Sequence, residues 1–136
     1  MKNIFLILLL TLALVGCASD DNLENVDYEI LEQGNLRQNI QNDWKLIINE
    51  LSADHYDLSL INIDFNTNLI LYIRDKEQPS SGYYITIDNI YESSSTMNVY
   101  IKSRFENEAI VQPTPSQPFC LVLIPKTNKS INFINR

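Results

Sequence analysis

Side chains able to carry reaction chemistry are few in this 136-residue chain. It has one histidine, His55, and two cysteines, Cys17 and Cys120. A zinc-type site needs about four Cys, His or acidic ligands converging from defined spacings, and one imidazole with two thiols does not supply a Cys/His cluster. No GxSxG elbow, HExxH pair or phosphate-cradling glycine loop occurs, and beyond Gly16 only Gly34 and Gly82 are available for glycine-dependent turns. Cys120 and His55 form the one conceivable nucleophile and base pair. Cys120 lies within Phe119-Cys120-Leu121-Val122-Leu123-Ile124, where a thiol behaves as a small hydrophobe and its reactivity falls. His55 sits between Asp54 and Asp57, weak spacing for a cation site. Catalytic carboxylates cannot be singled out among 17 acids. The expectation is therefore a non-enzymatic protein without cofactor or metal.

Cys17 points to attachment instead. Met1-Lys2-Asn3 is a short basic start, and Ile4 to Val15 is apolar apart from Thr11, too short to span a bilayer. Leu14-Val15-Gly16-Cys17 follows directly and resembles the bacterial lipobox, so residues 1–16 read as a removed signal peptide and Cys17 as the lipidated first residue. Once Cys17 is acylated, Cys120 has no partner for an intramolecular disulfide. Ser19-Asp20-Asp21 resembles the acidic export signal of surface lipoproteins in some Gram-negative lineages. The expected location is the outer membrane, held by the lipid alone, with periplasmic and surface orientations both open.

The remaining chain, roughly 120 residues, suits one small domain. Its formal charge is −7 before removal of Lys2 and one unit more negative after it, a balance that repels nucleic acid. Residues 17–27 read as an acidic tether and 28–136 as the domain, because Ala18 to Gly34 holds six acids and no base.

The elements that must position any site follow from periodicity. Tyr28 to Leu31 reads as a strand broken by Gln33-Gly34-Asn35. Leu36, Ile40, Trp44, Ile47, Ile48 and Leu51 recur at helical spacing and predict an amphipathic helix. From Asp57 onward the period becomes two. Leu69 to Ile73 is a continuously apolar central strand, Tyr83 to Asp88 and Met97 to Lys102 alternate as a hairpin, and Phe119 to Ile124 with Ser130 to Ile134 suggest a second hairpin. The expected fold is α+β: an antiparallel β-sheet with one amphipathic helix packed on one face.

Two stretches have functional readings beside structural ones. Ser80-Ser81-Gly82-Tyr83 places a glycine able to take positive φ at the start of a strand; the structural alternative is a turn followed by core aromatics. Pro113, Pro115, Pro118 and Phe119 lie in a proline-punctuated lead into a strand, which either presents an extended segment to a partner by strand addition or protects an edge.

These segments together resemble the C-terminal domain of the PrcB family, lipoprotein subunits of a secreted protease complex. The similarity runs from Trp44 through Ile63-Asp64-Phe65, Leu69 to Ile73, Ser81-Gly82-Tyr83 and Met97 to Lys102. It ends with Gln117-Pro118-Phe119 and Val122 to Pro125. Ser81 stands where the family's turn has its first glycine, and Phe119 where it has tyrosine. The resemblance implies a non-catalytic accessory subunit that binds and stabilises or presents a secreted protease, and it carries over no catalytic residue. Alternatives from other classes are a lipid-anchored protease inhibitor, a binding domain of unknown ligand and a thiol enzyme using Cys120.

Overall fold

Leu69-Ile70-Leu71-Tyr72-Ile73 and Cys120-Leu121-Val122-Leu123-Ile124 are apolar at every position, so both faces of each strand need cover. A computed structural model shows how this is met; it describes residues 22–36, 44–48, 62–106 and 112–136. Every regular element among them is a strand: β1 (Glu24–Asn25), β2 (Glu29–Leu36), β3 (Trp44–Ile48), β4 (Asn68–Arg74), β5 (Tyr83–Glu92), β6 (Thr96–Phe105), β7 (Gln117–Pro125) and β8 (Ser130–Asn135). They form two four-stranded sheets, ordered β1-β5-β6-β8 and β2-β7-β4-β3.

The two sheets enclose one core. Leu69, Leu71 and Ile73 of β4 and Cys120, Val122 and Ile124 of β7 meet Ile85, Ile87 and Ile90 of β5 and Met97, Val99 and Ile101 of β6. Each such aliphatic side chain contributes about 1.5 to 3 kcal/mol when fully buried. Intervening residues point the other way, and Ile48, Ile70 and Leu121 form a second buried cluster with Leu31, Phe65 and Tyr72 on the outer face of the β2-β7-β4-β3 sheet. The alternation explains why β4 and β7, the two inner strands of their sheet, read as unbroken apolar runs.

Three sequence expectations are corrected. The α+β class with a packed amphipathic helix does not hold: the described residues contain no helix, and Trp44–Ile48 is a strand paired antiparallel to β4, with Ile47 opposite Leu71 and Ile48 opposite Ile70. Trp44, Ile47 and Ile48 fit a helical spacing, but the adjacent β-branched pair suits a strand, and pairing with β4 decides it. The Gln33-Gly34-Asn35 break is instead part of β2, toward its C-terminal end, in register with Cys120, Phe119 and Pro118 of β7. Finally, β7 and β8 are not a hairpin. Both sides of β7 are occupied by β2 and β4, so the chain crosses to the other sheet and β8 runs parallel to β6.

The β5–β6 hairpin forms as the alternation predicts, closed by Ser93, whose N–H donates to Thr96 O at 2.8 Å. A bulge between Ile87 and Asn89 shifts the register, which lets Ile85, Ile87 and Ile90 all face inward. At the N-terminal side the chain is already tied to the sandwich by Glu24 and Asn25 opposite Glu92 and Tyr91, and Val26 is buried.

Candidate functional site

Two of the segments singled out from sequence, some thirty residues apart, become one ridge. Gln78 and Ser116 form an antiparallel bridge, Gln78 N–H donating to Ser116 O at 2.8 Å and Ser116 N–H to Gln78 O at 3.1 Å. Ser81 N–H donates to Gln112 O at 3.0 Å, and Gln112 N–H donates back to Ser81 Oγ at 2.8 Å. The Ser116 hydroxyl donates to Ser80 O at 2.8 Å. Pro113 and Pro115 have no N–H, so the donors of this stretch come from the residues on either side of them, and both proline rings are exposed.

Asp75 ties the ridge to the sandwich. Its N–H donates to Pro118 O at 2.9 Å, and its own carbonyl accepts from Gln117 Nε2 at 2.9 Å. Its carboxylate accepts from Ser103 Oγ at 2.5 Å and Gln78 Nε2 at 3.3 Å. At the other end of the ridge Gly82 has φ of 94°, and its carbonyl accepts from Glu106 N–H at 2.9 Å. Tyr83 then packs its ring on Phe105, centroids 4.8 Å apart.

Pro118 and Phe119 do not join this ridge. Pro118 is fully buried near the start of β7, where a missing N–H is tolerated. Phe119 lies on the outer face, edge-on to Tyr72 at 6.0 Å. Gly34 makes room for it: a Cβ there would stand 3.0 Å from the Phe119 ring.

The edge of β5 is not an open template. Asn35 Nδ2 donates to Tyr83 O at 3.3 Å, Gln33 Nε2 donates to Ile85 O, and Tyr28 OH donates to Ile87 O at 3.2 Å. Side chains of β2 and its approach thus occupy the acceptors that an added strand would use. Sequence reasoning missed this role. The available signal was Gln33 and Asn35 at a spacing of two, which puts both on one face of a strand.

Cys120 is fully buried, and desolvation pushes its thiol up to about 12. The native protein is expected to leave Cys120 unmodified by iodoacetamide at about pH 8 and to alkylate it on unfolding, because only the thiolate attacks. Rapid native labelling would contradict the buried placement. Among the described residues no group of three or more His, Cys, Asp or Glu is placed to hold a metal ion. Cys17 and His55 lie outside the described residues.

Comparison with protein-family models, curated proteins and solved structures finds no match to this chain. What the geometry defines is a class: an all-β sandwich carrying a proline-bearing ridge at one end.

Proposed function

We propose that this is a non-catalytic envelope lipoprotein, anchored through Cys17 at the outer membrane, whose ridge docks a secreted protease or protease complex. The observation that supports this reading is the ridge itself. Residues 78–82 and 112–116 expose Pro113 and Pro115 on a backbone cross-linked by five hydrogen bonds. A surface ordered in advance loses little conformational entropy on binding. Strand addition along β5 is disfavoured by the side chains that cap its edge, so the exposed side of the ridge is the contact surface. The protease as partner comes from the PrcB resemblance.

The test is affinity capture of the tagged protein from detergent-solubilised membranes, comparing wild type with Pro113→Ala/Pro115→Ala. A stoichiometric protease retained by wild type and lost from the variant is the expected result. Capture of no protease, or equal capture by both proteins, would remove the proposal. The stiffness of the ridge suits an inhibitor equally well, and the direction of change in the captured protease's activity separates inhibition from stabilisation. Cys17→Ala is expected to abolish membrane attachment and leave soluble or unprocessed protein. Membrane-bound, mature Cys17→Ala protein would refute the lipid anchor.

A further inference from the structure

We propose that β8 is a dimerisation edge, pairing antiparallel with β8 of a second copy of this chain so that two four-stranded sheets join into one continuous sheet. β8 is an outer strand of its sheet and runs parallel to β6. Just before and after β6–β8 pairing ends, Ser130 N–H donates to Ser95 O at 3.1 Å and Arg136 N–H donates to Ile101 O at 2.9 Å. Backbone groups alternate sides along a strand, so those of Ile131, Phe133 and Asn135 point away from β6. None of these outward groups has a hydrogen-bond partner among the described residues.

An exposed row of unpaired N–H and C=O groups is a template for another strand, and the other edges of this sandwich carry devices against it. Tyr28, Gln33 and Asn35 occupy the carbonyls of Ile87, Ile85 and Tyr83 on β5. β2 bears Glu29 and Glu32 and a register shift between Ile30 and Glu32. β3 bears Lys45. β8 has no charged residue, no proline and no break in its register with β6.

Charge and self-complementarity identify the occupant. The chain has 17 acidic and 10 basic residues, so two copies repel over most of their surfaces. β8 is neutral, and the bases that flank it are each ion-paired, Lys129 to Glu92 at 3.0 Å and Arg136 to Asp88 at 3.1 Å. Two copies can therefore meet here without opposing like charges. A two-fold axis through Asn132 sets Ile131 opposite Phe133 of the second copy, and Phe133 opposite its Ile131, so that outward-facing backbone groups meet each other. Ile131 and Phe133 both pack against the core between the sheets. Their aliphatic–aromatic pairs across the axis extend that core from one copy into the next. Asn132, exposed on the opposite face, meets its own counterpart.

The test is sedimentation equilibrium of the purified full-length protein in density-matched neutral detergent, with micelles in large excess. Wild type is expected to show a reversible dimer. Asn132→Lys sets like charges across the axis and should raise the dimer dissociation constant about tenfold or more, as should Asn132→Asp, while an equimolar mixture of the two should recover dimerisation. Either change gives up only an exposed bond to Asn98. Asn135→Pro removes an outward N–H and none of the bonds to β6, and should weaken the dimer about tenfold. At concentrations where wild type is monomeric, all three variants should melt with it, which separates a lost contact from a lost fold. A wild type that stays monomeric at about 100 μM would overturn the proposal and leave the edge to a different protein. Dimers that persist unchanged in Asn132→Lys, or a Lys and Asp mixture that fails to associate, would overturn it as well.

Discussion

Truncating Leu71 to alanine is expected to lower the unfolding free energy by about 2 to 5 kcal/mol. Leu71 is fully buried on the inner face of β4, with Ile47 and Val122 as its cross-strand neighbours. Removing three carbons there loses their transfer free energy and leaves a cavity between two sheets whose strands are each paired and cannot easily collapse into it. A single domain has about 5 to 15 kcal/mol of stability in total, so the variant should unfold at clearly lower urea and temperature. Leu23→Ala is the control: Leu23 is 60% exposed, and its truncation should change stability by no more than about 0.5 kcal/mol. Equal, small effects of the two substitutions would contradict face-to-face packing of the sheets.

Gly82→Ala is the second large effect, expected to cost about 1 to 3 kcal/mol. At φ of 94° an L side chain is strained, and the new Cβ would stand 3.0 Å from Phe105 Cε2. The ring is partly exposed and can yield, so most of the cost is backbone strain. Gly82→Asn should recover part of the loss, because asparagine tolerates left-handed backbone better than alanine. Thermal unfolding of the two variants checks this, and identical stability of both with wild type would rule out a positive φ at this position. Since Gly82 ends the ridge and directly precedes β5, Gly82→Ala should also weaken capture of a partner held by the ridge.

The residues differ in how far their placement could be read without a structure. Local pattern was sufficient for β4, β5, β6 and β7, and for the burial of Cys120. A run that is apolar throughout, or alternates with period two and is rich in β-branched residues, has few ways to bury itself. Gly82 was recognisable for the same reason: a turn before a strand needs backbone freedom that other residues lack.

Tertiary structure alone decided the rest. The same spacing of Trp44, Ile47 and Ile48 serves helix or strand, and pairing with β4, some twenty residues onward, selects the strand. Proximity in sequence suggested that β8 should fold back on β7, yet β2 and β4 already occupy β7, and the free edge of β6 takes β8. The ridge arises from hydrogen bonds between segments about thirty residues apart. The physical reason is common to all of these. Side-chain periodicity reports which face of a segment is buried, but strand partners are chosen by backbone hydrogen bonds and core packing across the whole chain, and those non-local contacts leave no periodic mark in the sequence.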